Sequence, residues 1–264
     1  MDVFAVEPFT DYIYLGGMPY AQERIIHHSR IFAAVAQAFL SLKRFYQDLA
    51  RRDTPEPSRL FPRPTYLASK ELQNNLTFSS RFQYDGRSSS DYQRSLFRAT
   101  YRPKDEGVEK EVLVKFCDRY HGLGHELVAE FGYAPHLFFC ERIQGEITMV
   151  ITEFIDGRDA HYHFMNQGLP SNILNDVKHA VKVLHDAGYV FGDLRRPNIM
   201  IHKTADGGER AQLIDFEWVG RDGQAQYPAL LNNSGDIKWP VGVKPHATMW
   251  KVHDTDMIHK ITYA

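Results

Sequence analysis

The chain has little cysteine: Cys117 and Cys140 are the only two in 264 residues. Both lie beside apolar, strand-like runs, which suits buried thiols in a reducing compartment and argues against a disulfide framework. A charge excess is also missing. With 31 basic and 33 acidic residues the formal net charge is -2, so no overall field favours nucleic acid or anionic lipid as the main partner. The doublets Arg51-Arg52 and Arg195-Arg196 stand isolated. The opening MDVFAVEPFTDYIYLGG has neither the basic start nor the long apolar stretch of a secretion signal. An unbroken apolar run of about 18 residues is absent too. A soluble, cytoplasmic protein is expected, with nuclear residence left open and with neither membrane nor nucleic acid among its partners.

What is present is a 43% apolar chain, long enough for one sizeable core or for two lobes sharing a cleft. From Ala21 to Arg52 it has no Pro or Gly, and Phe32, Val35, Phe39, Leu42, Tyr46 and Leu49 recur at spacings of three and four. That pattern predicts a long amphipathic helix. Its stripe is expected to pack on the neighbouring domain; a dimerising coiled coil is the alternative, so the expected state is a monomer or a weak dimer through this helix. Pro55, Pro57, Pro62 and Pro64 cannot continue the helix and mark a linker. Residues 1–70 are thus read as a helical extension with its linker.

Alternation predicts strands at Leu76 to Tyr84, Leu96 to Tyr101, Glu111 to Phe116, Leu137 to Ile143 and Ile147 to Phe154. A helix fits from about Tyr120 to Phe131, between the third and fourth. After Gly157 the spacing of Ile173, Val177, Ala180, Val181 and Leu184 becomes helical, with Ser171 as N-cap and Gly188 as stop. Two short strands, Ile199 to Ile201 and Gln212 to Ile214, flank an Asp206-Gly207-Gly208 turn. Five strands with one inserted helix, then helix, loop and hairpin, indicate two lobes, 71–155 and 156–264.

The chemistry concentrates between Gly188 and Asp215. Asp193 stands five residues before Asn198, and Asp215 closes an apolar strand shortly after. This spacing can set one carboxylate beside a nucleophilic hydroxyl, with an amide and a second carboxylate on the magnesium ions of a nucleoside triphosphate. Lys115 is a lone cation in an apolar strand, where a charged partner or ligand is expected.

The phrases VLVKF, HELVAEFGYAP, MVITEFIDG, VFGDLRRPNIM, LIDFEW and YPALLNNSGDIKWP with its later His253-Asp254 occur in an order and separation that resembles the protein-kinase-like superfamily. More narrowly, the chain is similar to the divergent kinase-like proteins of basidiomycete fungi. The resemblance covers the chain from about Asn75 onward. It implies an α+β, two-lobed protein-kinase-like fold with a five-stranded antiparallel N-lobe, a reduced helical C-lobe and an extra N-terminal helix. It also implies ATP and Mg2+ as cofactors. Lys115 would hold the α and β phosphates, partnered by Glu126, with Glu130 as the alternative. Asp193 would be the base, Asn198 and Asp215 the metal ligands, and Arg195 a clamp on the γ phosphate. The run MVITEFI resembles the hinge, with the backbone of Glu153 and Ile155 facing adenine and Thr152 behind it.

The sequence departs from that pattern in several places. The nucleotide-covering loop, Asp85 to Ser95, has only Gly86, so the serines at its centre, Ser88 and Ser89, would have to cradle phosphate; an ordinary solvated hairpin loop is the other reading. Phe191-Gly192 precedes Asp193 where His-Arg is usual, so switching by loop phosphorylation is not expected. Glu217 follows Asp215-Phe216 in place of glycine, and no Ala-Pro-Glu appears. Asp254 or Asp256 would pin the catalytic-loop backbone. His253-Asp254 and the pair His161 and His163 lack the further ligands of a hydrolytic metal centre. The expected activity is an ATP- and Mg2+-dependent phosphotransfer to a hydroxyl, by default a protein Ser/Thr. A small-molecule kinase of aminoglycoside or choline type and an inactive pseudokinase binding module are the alternatives.

Overall fold

Alternation of side chains sets the first sheet. The structure, a computed structural model, describes residues 21–48, 61–62, 75–82, 95–103, 107–143, 147–232, 235 and 237–262. Strands β1 (Leu76–Arg81), β2 (Ser95–Tyr101), β3 (Lys110–Cys117), β4 (Leu137–Arg142) and β5 (Thr148–Glu153) form one antiparallel sheet in the order β1-β2-β3-β5-β4. Because successive residues point to opposite faces, Phe97, Ala99, Val112, Val114, Met149 and Ile151 build a core on one side. On the other side Leu96, Lys115 and Val150 lie abreast, as do Leu113 and Thr152. That second face looks into a cleft. Helix α2 (Gly122–Glu130) is inserted between β3 and β4. Its start is fixed by His121, whose Nδ1 accepts a 2.9 Å hydrogen bond from Gly124 N–H.

The second lobe is built around helix α4 (Ser171–Asp186), preceded by β6 (Gly157–Asp159) and the short α3 (Ala160–His163). Ile173, Val177, Ala180, Val181 and Leu184 of α4 are buried, the four larger side chains contributing up to about 1.5–3 kcal/mol each. The expected cap differs: Pro170 is the N-cap and makes no side-chain hydrogen bond, and Ser171 is already inside the helix. Proline fits that position because its backbone needs no donor there. The two expected short strands are β8 (Ile199–Lys203) and β9 (Glu209–Leu213), which form a three-stranded sheet in the order β6-β8-β9. A second small pair joins β7 (Tyr189–Val190) to β10 (Gly220–Arg221), and α5 (Lys251–Thr262) ends the described chain. Val128 of α2 sits in the same buried cluster as Leu184, Phe191 and Phe216, which joins the two lobes.

By internal contacts the chain divides into the units Met1–Leu60 and Phe61–Ala264, and both lobes lie within the second. In the first unit, α1 (Ala21–Asp48) is one helix of 28 residues. Its stretch Ile25–Gln47 is long and apolar enough to cross a membrane, judged by length and composition. The stretch is not an unbroken apolar run, which is absent as the sequence indicates; it qualifies by its average alone. His27, His28, Arg30 and Gln37 interrupt the apolar residues and lower the average, which still stays high enough because of the aliphatic and aromatic residues between them. The prolines Pro55, Pro57 and Pro64, the residues from Asp85 to Arg94, and with them Ser88 and Ser89, lie outside the described residues.

Candidate active site

Three elements deliver the site. From β3, Lys115 reaches across the cleft to Asp215, Nζ to Oδ1 2.8 Å, and also pairs with Glu217. Its side chain is 16% exposed. Burial, the largest influence, pulls the ammonium down, but the two carboxylates outweigh it and hold Lys115 above its ordinary value. Asp215 has φ +70°, a left-handed conformation that costs a non-glycine residue of order 1–3 kcal/mol and concentrates at functional sites. The neighbouring backbone is tied down, since Ile214 N–H donates to Asn198 O at 3.0 Å.

Asp193 and Asn198 come from the loop before β8, and both are buried. Asn198 Nδ2 donates to Asp193 O at 2.8 Å and to Oδ2 at 2.9 Å. Arg195 grips the same carboxylate in a fork, Nε to Oδ1 2.5 Å and Nη2 to Oδ2 2.6 Å. Burial pushes the Asp193 carboxyl above its usual range against these donors, and the charge of Asp215 adds to the rise. The guanidinium of Arg195, expected from the sequence to clamp a γ phosphate, is committed here to the Asp193 carboxylate.

Asp254 of α5 holds the loop from below. Its carboxylate accepts from Phe191 N–H at 2.7 Å and Gly192 N–H at 2.9 Å, with His185 Nε2 2.9 Å away. The sequence left Asp254 and Asp256 as alternatives; the pinning residue is Asp254. Glycine suits position 192, where φ is +81°, a conformation other residues rarely adopt, and a Cβ would push against the end of the buried Met249 side chain.

The expected helix partner of Lys115 is a correction. Glu126 is exposed and lines a different cavity, between α2 and β4, and Glu130 is exposed as well. The helix turns His125 inward instead. That ring stacks on Phe216 at 4.5 Å and 7°, and Phe216 meets Phe191 edge-on at 5.5 Å. His125 Nε2 lies 2.7 Å from Pro135 O, which can only accept, so Nε2 carries the proton and Nδ1 accepts from Tyr120 O–H at 2.8 Å. Burial pulls His125 down to about 4, so it is neutral.

A narrow cavity behind Lys115 and Asp215 is lined by Leu96, Leu113, Val150, Thr152, Phe154 and Met200. Glu153 and Ile155, the expected hinge residues, line it too. A mostly apolar lining of this kind suits a flat heteroaromatic base. The donor set also fits Mg2+. Asn198 spends its amide nitrogen on Asp193, and its amide oxygen, like the carboxylate of Asp215, is a hard donor of the kind Mg2+ takes. Among the described residues no group of three or more His, Cys, Asp or Glu gathers for a metal. Few protein ligands are what a hard cation shared with phosphate and water requires.

Sheet order and the inserted helix give an α+β, protein-kinase-like fold, and Lys115, Asp193, Asn198 and Asp215 gather at its cleft. The model of the lipopolysaccharide kinase (Kdo/WaaP) family matches residues 140–225, a stretch that holds the hinge, the Asp193 loop and Asp215. A probable serine/threonine-protein kinase of Dictyostelium discoideum is 32% identical over 75 residues, 26% of this chain, and the chain spans 14% of that relative's length. The solved structure of the Cydia pomonella granulovirus kinase PK-1 is similar over 66% of this chain and 64% of its own, at 14% identity and a TM-score of 0.47.

Proposed function

We propose that the chain is a phosphotransferase that moves the γ-phosphoryl group of ATP, with Mg2+, to a hydroxyl acceptor. The observation that supports this most is the convergence of Lys115 on Asp215 at 2.8 Å across the cleft, beside an Asp193 hydrogen-bonded to Asn198. When bound, Mg-ATP supplies the phosphoryl group and its metal screens the oxygen charges. The chain's own residues do the rest. Lys115 presents its ammonium to phosphate oxygens, Asn198 and Asp215 present oxygens to the cation, and Thr152, Glu153 and Ile155 bound the base. Asp193 accepts the proton of the acceptor hydroxyl, and Arg195 keeps that carboxylate oriented. Rate acceleration then comes from positioning and preset charge.

The acceptor class is a protein serine or threonine, a reading supported by the name of the Dictyostelium relative. Kinship with fungal kinase-like proteins belongs to the same reading and rests on the sequence phrases; a cytoplasmic location does too, and rests on the low cysteine content. The second reading, a small alcohol or sugar hydroxyl, is favoured by the match to a lipopolysaccharide kinase model over 140–225 and by Glu217 after Asp215-Phe216. The test is transfer of labelled γ-phosphate with Mg2+ to peptide, sugar and small-alcohol panels. Transfer by the wild type that disappears in Asp193→Ala is expected. No transfer and no ATP binding by the wild type would leave the binding-module alternative.

A further inference from the structure

We propose that Glu217 is the positioning carboxylate for Lys115, in the place where a carboxylate from helix α2 was expected. The inference rests on the phosphotransferase reading, and deepens it. It starts from the phase of α2. Gly124, His125 and Val128 face the interior, and with about 100° per residue that turns Glu126 and Glu130 outward together. The inward position nearest the cleft is taken by His125, whose two ring nitrogens are spent on Tyr120 and Pro135. Helix α2 therefore offers Lys115 no carboxylate.

The two carboxylates that pair with Lys115 come from one short segment, Asp215 and Glu217. They are not equivalent. Asp215 is the residue whose oxygens suit a cation, and every lone pair it turns to a metal is withdrawn from Lys115. A largely buried ammonium then needs a second counter-charge, and Glu217 is already in contact. Between them Phe216 is locked by the stack on His125 and the edge contact with Phe191, so the backbone that carries Glu217 is fixed relative to Asp193's loop. Lys115 stays aimed into the cleft while Asp215 serves the cation. Its positioning depends on the Asp215-Phe216-Glu217 segment, which α2 supports through the His125 ring stacked on Phe216 and not through a carboxylate of its own.

The experiment compares Glu217→Gln, Glu217→Asp, Glu126→Gln and Glu130→Gln by kcat, KM for ATP and Mg2+ requirement. We expect Glu217→Gln to lower kcat by about tenfold or more with KM for ATP changed by less than about threefold. Glu217→Asp should recover part of that loss, and both helix variants should match the wild type. In a Lys115→Met background, Glu217→Gln should have no further effect on kcat, as expected for two residues acting as a unit. A second readout needs no activity: thermal unfolding of the unliganded protein should be non-additive for Lys115→Met with Glu217→Gln and additive for Lys115→Met with Glu126→Gln. Wild-type kcat in Glu217→Gln would overturn the proposal. So would additive Lys115 and Glu217 effects, or a loss seen only as a raised Mg2+ requirement, which would make Glu217 a metal ligand. If the wild type transfers no phosphate the phosphotransferase reading falls, and the unliganded cycle still decides the pairing.

Discussion

At the scale of residues, the proposed base is held before any substrate arrives. Asp193 takes two charge-assisted bonds from Arg195 and one from Asn198, so its oxygens are oriented in the unliganded protein. Removing it in Asp193→Ala should lower kcat by roughly 10²- to 10⁴-fold, the range for general-base loss, while nucleotide affinity measured by titration stays close to wild type. His125 gives a pH prediction. Its folded value of about 4 lies below the ordinary value near 6.5, so the unfolded chain binds the extra proton first as pH falls. The stabilisation is complete above about 6.5 and is lost as pH drops towards 4, on the order of 3 kcal/mol in all. Unfolding midpoints at pH 7 and pH 4.5 should therefore differ less in His125→Phe than in the wild type. Equal pH slopes would contradict the buried neutral histidine. Asp193, Asn198 and Asp215 were legible in the sequence because their spacing lies within one short loop and hairpin. The pairing of Lys115 with Glu217 was not, since it joins residues about a hundred positions apart across two lobes.

At the scale of elements, strands were the easier reading. In β3, Val112 and Val114 are buried on one face while Leu113 and Lys115 take the other, an alternation visible in the letters themselves. The two-residue strands β7 and β10 have no period to detect, and their pairing depends on the tertiary fold. Helix α2 shows the harder case. Both of its glutamates are chemically suitable partners for Lys115, and the choice of inward face is made by packing against Phe216 and Val219, where a Cβ on Gly124 would meet Val219 Cγ1 at 3.0 Å. Helix α5 carries the element-scale prediction. Asp254→Ala removes the acceptor of two buried backbone N–H groups, each costing about 1–3 kcal/mol when left unsatisfied. Chemical denaturation should show a loss of roughly 2–5 kcal/mol, and kcat should fall because the backbone preceding Asp193 loosens. Asp256→Ala should stay within about 1 kcal/mol. Equal losses in both variants would deny Asp254 its pinning role.

At the scale of the whole molecule, the two lobes are coupled through the ion pairs of Lys115 and through the ring column His125, Phe216 and Phe191. A ligand that binds only the folded cleft should stabilise the protein by about 2.7 kcal/mol at a hundredfold excess over its Kd. The unfolding midpoint should therefore rise with Mg-ATP. The most direct measurement is calorimetric titration of Mg-ATP into the wild type, Lys115→Met and Asp215→Ala. One saturable site in the wild type, weakened by at least about tenfold in each variant, is the predicted result. Binding that is undiminished when either residue is replaced, or no binding to the wild type, would contradict a nucleotide site built from the two lobes.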